Sequence, residues 1–257
     1  MEMKYFVKED SIVRKIWGKS DTVLLIFAGA AAEFALNKAV DWLYFTGKLP
    51  ADPLGRLFST VTYAREIIFA DEAKAFQSID AIYHIHKAVE NSRDSTIPDW
   101  AYRDVLFMLI FYSISSFEVL ERRLTLAEKE EIYSVFKRLG ERMKLKDLAA
   151  DYKSWLPQRA AHLENDLVES RYTKDLFVQY KKHLGSIRYL FLIEGQKLVI
   201  PERVRDLLHF NHAHMLRFFV PVYKTSRVIS VDRIIKNIIL PSAYAKEIKE
   251  LDVANSQ

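Results

Sequence analysis

The chain has 257 residues, half of them hydrophobic, with only 7 glycines and 7 prolines, which favours one mostly helical domain with a sizeable core. Its formal net charge of +4 is small for this length and gives no reason to expect a nucleic-acid partner. The absence of cysteine excludes disulfides, thiolate catalysis and cysteine-ligated zinc or iron–sulfur sites.

Hydrophobic residues recur at helical spacing along nearly the whole chain, so the sequence predicts an all-α protein. The predicted helices are joined by short polar loops and cover residues 11–17, 20–46, 53–69, 71–90, 99–123, 125–143, 147–169 (bent or broken at Pro157), 173–184, 187–198, 201–209, 211–225 and 230–250. The sequence QKLVIP at 196–201 is the one stretch that favours extended backbone. Without repeats or a linker, residues 1–257 are predicted to form a single globular domain that ends in an amphipathic helix at 230–250.

Three segments bear on membrane contact and location. The charged N-terminal sequence MEMKYFVKED lacks the apolar stretch of an export signal, so we expect a cytoplasmic protein. Segments 22–32 and 105–117 are uncharged but shorter than the roughly 18–20 residues of a spanning helix, so we expect buried core helices. The helix at 230–250 combines isoleucines with basic neighbours, which favours packing on its own domain or a partner, with peripheral membrane contact as the alternative.

Capping residues predict where several helices begin. Asp52 can cap the helix at 53–69, with Pro53 at the first helical position, where a missing N–H costs nothing. Thr125 and Glu128 have the spacing of a capping box. Asp99 is predicted to cap the strongly apolar helix that follows it, which we expect at the centre of the fold.

A polar stripe of Arg56, Thr60 and Tyr63 lies beside the apolar face of the helix at 53–69. An arginine in the first turn faces the positive end of the helix dipole, so another interaction must favour it. A salt bridge and plain solvent exposure are two candidates. The functional candidate is an anion clamp, for example on a haem propionate or a reactive oxygen species.

The helix at 71–90 carries two histidines with different predicted surroundings. One face is apolar and includes Phe76, Ile79, Ile82, Tyr83, His86 and Val89. His84 falls on the opposite face, so we expect His84 in solvent and His86 in the core. A buried histidine needs a partner for each ring nitrogen, which leaves a hydrogen-bonded core histidine or a ligand of haem iron in an apolar pocket.

The remaining motifs exclude several enzyme classes. His209, His212 and His214 are close in sequence but fall near a predicted helix end, so we expect a solvated cluster. No HExxH is present and no histidine follows a glutamate by three residues, which excludes zinc-protease and di-iron signatures. The GxSxG, GxGxxG and phosphate-loop patterns are also absent.

Four motifs in register resemble the latex-clearing-protein and MpaB-type oxygenase family over about residues 21–223. They are DPLGRL at 52–57 followed by Thr60, Ile85–His86, FEVLERRLTLAEKEEIY at 117–133, and RLG at 138–140. The resemblance implies an all-helical fold with haem b and O₂-dependent oxidation of a hydrophobic small-molecule substrate. It also implies that His86 is the proximal iron ligand. Arg56 and Thr60 would line the distal pocket, where they would contact the cofactor and take part in catalysis.

The chain also departs from the family pattern. Ser59 stands where members often have lysine or arginine, and Gly29 and Leu106 stand about where histidines are usual. The carboxylate of the rubber oxygenases has no clear counterpart, and Glu33 and Asp41 are the nearest acids. These replacements predict a more apolar pocket, suited to a greasy ligand. The alternative function is a non-catalytic helical module of the same fold that binds an apolar ligand or a partner protein.

Overall fold

The computed structural model describes residues 4–212, and the side chains of residues 49, 50, 54 and 56–58 are not among the described parts. The predicted helix at 230–250 and nearly all of the one at 211–225 lie outside the described residues, as do His214 and the side chain of Arg56.

The described chain is built from helices, which confirms the all-α prediction. The helices are α1 (Ile12–Trp17), α2 (Ser20–Phe34), a 3-10 turn (Lys38–Val40), α3 (Asp41–Phe45), α4 (Lys48–Ala51), α5 (Pro53–Phe69), α6 (Glu72–Arg93), α7 (Asp99–Leu120), α8 (Leu126–Arg142), α9 (Tyr152–Asn165), α10 (Arg171–Val199) and α11 (Glu202–Leu207). Two isolated bridges, Tyr5 with Asp71 and Asn37 with Leu167, join distant parts of the backbone. Within residues 4–212, no helix has both the length and the apolar character needed to cross a bilayer.

Two of the three predicted caps are confirmed. The Asp52 side chain accepts a hydrogen bond from the Gly55 N–H at 2.9 Å, and Pro53 is the first residue of α5. Thr125 and Glu128 form a reciprocal capping box at the start of α8. The prediction for Asp99 is wrong, because the residue before it is the N-cap and Asp99 is itself the first helical residue.

The centre of the fold is the pair of α2 and α7, as expected for α7: the two helices pack most extensively against each other, and both also contact α10. Close approach of α2 and α7 depends on Gly29, since a Cβ there would overlap the ring of Tyr112 and lie 2.9 Å from Val199 Cγ2. Both uncharged segments, 22–32 and 105–117, fall within these two helices and contribute buried residues to the core.

The predicted helix at 20–46 is wrong, because the chain leaves helical geometry after Phe34. Asn37 is extended, with φ −66° and ψ 134°, and its side chain caps the 3-10 turn by accepting from the Ala39 N–H at 2.8 Å. The backbone on either side pairs with the residues after α9, where the Val168 N–H donates to the Leu36 carbonyl at 2.8 Å. These contacts stabilise a break that local sequence does not predict.

Three other boundaries also differ from the prediction. Helix α9 begins only at Tyr152, and it continues through Pro157 to Asn165. Helix α10 replaces two predicted helices and is kinked between them at Gly185, whose φ of 73° suits a residue without a side chain. The stretch 196–199 is helical, so the expectation of extended backbone is wrong there and correct only for Ile200 (φ −71°, ψ 145°) and Pro201 (φ −68°, ψ 160°).

Candidate functional site

The two histidines of α6 differ in exposure. His84 is exposed, as predicted. His86 is half-buried, so it is less buried than the prediction of a core position required. The ring of His86 meets the ring of Tyr102 edge-on, with centroids 5.2 Å apart and an interplanar angle of 89°. Its Nδ1 is shielded from solvent. The imidazole therefore packs between α6 and the start of α7.

A buried carboxylate holds Tyr102 in this position. The Tyr102 hydroxyl donates to Glu90 Oε1 at 3.2 Å, and Glu90 also accepts from Lys87 Nζ at 2.6 Å and from the Ile97 N–H at 2.9 Å. Burial opposes ionisation of Glu90, but these donors outweigh it and lower its pKa. Charge-assisted hydrogen bonds are strong, so Glu90 is held in place and fixes the position of the Tyr102 ring that contacts His86.

Helix α5 packs against α6 and carries the residues of the predicted polar stripe. Ser59, Thr60 and Tyr63 are all half-buried. Two packed helices thus carry Thr60 and His86, while the side chain of Arg56 lies outside the described parts. Whether these groups share one pocket stays a prediction.

Haem is the cofactor that the resemblance implies, and His86 is the residue on which its fit depends. His86 supplies an imidazole, the commonest protein ligand of haem iron, at a half-buried position beside an aromatic edge. The half-buried hydroxyls of Ser59 and Thr60 add donors on the neighbouring helix. The residues present are therefore compatible with a haem group.

The positions where histidines are usual are filled by core packing. Gly29 lies against the ring of Tyr112, and Leu106 is buried beside Gly140, where a Cβ would come within 2.8 Å of Leu106 Cδ2. The loss of histidine at both positions therefore accompanies tight contacts between α2 and α7 and between α7 and α8.

The two acids nearest to the expected family carboxylate are both engaged. Asp41 accepts from Arg93 Nη2 at 2.7 Å, at a partly exposed position. Glu33 is completely buried and forms two parallel hydrogen bonds with the Arg159 guanidinium, one of them from Nη2 to Oε2 at 2.5 Å. Tyr112 donates to the same Oε2 at 2.8 Å, and His162 Nε2 lies 2.8 Å from Oε1.

The surroundings of Glu33 keep it ionised. Burial by itself would raise its pKa, but the Arg159 cation and the His162 imidazole outweigh burial and lower the pKa to about 2. Both Glu33 oxygens are occupied by hydrogen bonds from neighbouring side chains, which are the contacts of a structural anion.

His162 extends this cluster toward a second group of acids. Its Nδ1 lies 2.7 Å from Asp104 Oδ1 and 3.7 Å from Asp166 Oδ2. Asn37 Nδ2 donates to the other Asp104 oxygen at 2.8 Å. Burial alone would lower the pKa of His162, but the flanking carboxylates of Asp104 and Glu33 raise it.

The sequence did not predict this cluster of buried charged residues, although it contains an indication of it. Glu33 directly follows the uncharged segment 22–32 and Asp104 directly precedes the uncharged segment 105–117, and a charge that is buried with such a segment needs a partner. Arg159 and His162 are three residues apart on one helix and could supply it. The prediction of a solvated histidine cluster is confirmed for His209 and His212, whose side chains are 77% and 76% exposed.

The sequence matches one family, described as ER-bound oxygenase mpaB/B'/rubber oxygenase, catalytic domain, over residues 14–225. No curated protein and no solved structure matches the chain. The match spans α5 and α6, and with them Arg56, Thr60 and His86.

Proposed function

Since the chain belongs to the mpaB/rubber oxygenase catalytic-domain family, we propose that it is a haem-dependent oxygenase that acts on a hydrophobic substrate with O₂. The observation that carries the proposal is the family match over residues 14–225, with His86 half-buried and supported by Tyr102 inside the matched region.

His86 would hold the haem iron, and the haem would supply the O₂ chemistry when bound. Tyr102 would keep the imidazole in one orientation, because Glu90 fixes its hydroxyl. Arg56 and Thr60 would place a cation and a hydroxyl donor on the opposite side of the pocket, where they would stabilise negative charge as it develops.

The contacts of Glu33 and Asp41 bear on whether either of them could act as a general base. Glu33 is locked by Arg159, and Asp41 is held by Arg93, so neither is available as a general base. The proposed reaction therefore does not depend on a carboxylate at either position. The chain would contribute mainly an apolar enclosure and the oriented groups of α5 and α6.

The test uses the full-length protein expressed with a haem precursor. We expect a Soret band with about one haem per chain, and O₂ uptake that depends on an emulsified isoprenoid such as squalene. Haem-free protein is the control for uptake. A colourless protein that shows no Soret band after haem titration would contradict the proposal.

Ser59 and the apolar residues Gly29 and Leu106 depart from the family pattern and favour an alternative, a non-catalytic module of the same fold that binds an apolar ligand or a partner protein. It predicts stoichiometric binding of an apolar probe such as squalene without O₂ uptake. Uptake that requires the probe would rule this alternative out.

A further inference from the structure

Three ligand-type side chains meet where α7 crosses the end of α9. Asp104 comes from α7, while His162 and Asp166 lie four residues apart on α9 and its C-terminal cap. One ligand atom from each lies within 4.8 Å of the others. Asp104 and His162 are buried, and the Asp166 side chain is 24% exposed, which leaves one side open to solvent.

The surroundings of His162 Nδ1 suit a ligand of a cation. This nitrogen is buried and has no hydrogen bond of acceptable direction, although Asp104 Oδ1 is only 2.7 Å away. Two ligands of the same ion can lie this close without a hydrogen bond between them, because the lone pair of each ligand points at the ion and not at the other ligand. With ligand distances of about 2.1 Å, two ligands at right angles lie about 3 Å apart.

The surrounding contacts resemble those that support a metal-bound imidazole. The other ring nitrogen, Nε2, lies 2.8 Å from Glu33, and Glu33 is itself fixed by Arg159 and Tyr112. A histidine that binds a metal through one nitrogen almost always donates its other N–H to a carboxylate or carbonyl. Asp104 is oriented similarly, by the amide of Asn37.

The charges of the cluster also favour a cation. The cluster contains three carboxylates, those of Glu33, Asp104 and Asp166, while the nearby fixed cations are Arg159, which is paired with Glu33, and Lys38, which acts on Asp166. These groups together carry a net negative charge, and a divalent ion would offset it.

We propose that Asp104, His162 and Asp166 bind one divalent first-row transition-metal ion, with water at the open side. One imidazole nitrogen and two carboxylates suit Mn²⁺, Fe²⁺ or Zn²⁺, while Ca²⁺ and Mg²⁺ favour sites made of oxygen alone. The ion would join α7 to the end of α9. The site is distinct from His86 and does not depend on the haem proposal.

The test measures Mn²⁺ binding to chelator-treated, haem-free, full-length protein by electron paramagnetic resonance. We expect one ion per chain for the wild type and at least tenfold weaker binding for Asp166→Asn. This change removes one ligand and leaves the contacts between Glu33 and Arg159 in place. Glu164→Gln is the matched control, since this neighbouring carboxylate on α9 is 66% exposed and faces Arg203, and it should bind as the wild type does.

Equal Mn²⁺ affinity in the wild type and both variants, or no stoichiometric binding by the wild type, would overturn the proposal. A second measurement needs no variant. Mn²⁺ should broaden the ring resonances of His162 before those of the exposed His209 and His212. Broadening confined to the exposed histidines would refute the site even if Asp166→Asn failed to fold.

Discussion

Replacement of Arg159 by alanine tests the role of the buried ion pair. The change removes the guanidinium that binds both oxygens of Glu33 and leaves a carboxylate that is completely buried. Tyr112 and His162 would still contact it, but neither carries a permanent charge. A buried carboxylate without its cation is strongly unfavourable in the interior of a protein.

The expected loss of stability is large. Removing one partner of a buried ion pair costs about 3–5 kcal/mol. At about 2–4 °C per kcal/mol for a chain of this size, the melting temperature should fall by about 6–20 °C. Arg142→Ala is the matched control, because its pair with Asp80 lies at the surface, with side chains 43% and 42% exposed, and should contribute little to stability.

Urea unfolding followed by circular dichroism measures both variants against the wild type. The double variant Arg159→Ala with Glu33→Gln should recover part of the lost stability, since a neutral amide needs no counter-charge. A loss for Arg159→Ala that is no larger than the loss for Arg142→Ala would refute the reasoning.

Two further substitutions test packing and pH dependence by urea unfolding. Gly29→Ala should destabilise by about 1–3 kcal/mol, because its Cβ would overlap the Tyr112 ring. Gly195→Ala is its control, since a Cβ there meets only an ordinary contact at 3.6 Å, and equal effects at the two glycines would contradict the packing argument. Hydrogen bonds from Arg122 lower the Glu128 pKa from 4.5 to about 2, so this stabilisation is complete above pH 4.5 and is lost as pH falls toward 2. Glu128→Gln should remove about 1 kcal/mol at neutral pH and flatten this acid dependence, and an unchanged pH profile would contradict the assignment.

Local sequence predicts the helix starts well. The Asp52 cap of α5 and the capping box of α8 each depend on residues within one turn, so their chemistry can be recognised directly. The apolar faces of α5 and α8 follow from the spacing of their hydrophobic residues alone. Because this spacing is also local, the all-α fold class can be predicted without long-range information.

The break after α2 could not be predicted in this way. Asn37 leaves helical geometry where its side chain reaches Asp104, which is 67 positions away in the sequence. Its backbone also pairs with Leu167. Contacts at this separation override the helical preference of the neighbouring residues and are invisible in a local pattern.

The same limit applies to the buried cluster. Glu33 and Arg159 are 126 positions apart, and only the folded chain shows that they meet. The sequence did show that Glu33 and Asp104 border uncharged segments, which indicates that they need partners but does not identify them. The proposed role of His86, by contrast, came from a family resemblance, and the family itself is now shown.

The most direct test of the central claim compares haem binding by His86→Ala and His84→Ala, two residues apart on α6, with one half-buried and one exposed. Soret absorbance is followed during haem titration of the full-length protein. We predict that the wild type and His84→Ala bind about one haem per chain and that His86→Ala binds at least tenfold more weakly with a shifted band. Full haem affinity and an unchanged spectrum in His86→Ala would contradict the assignment of His86 as the iron ligand.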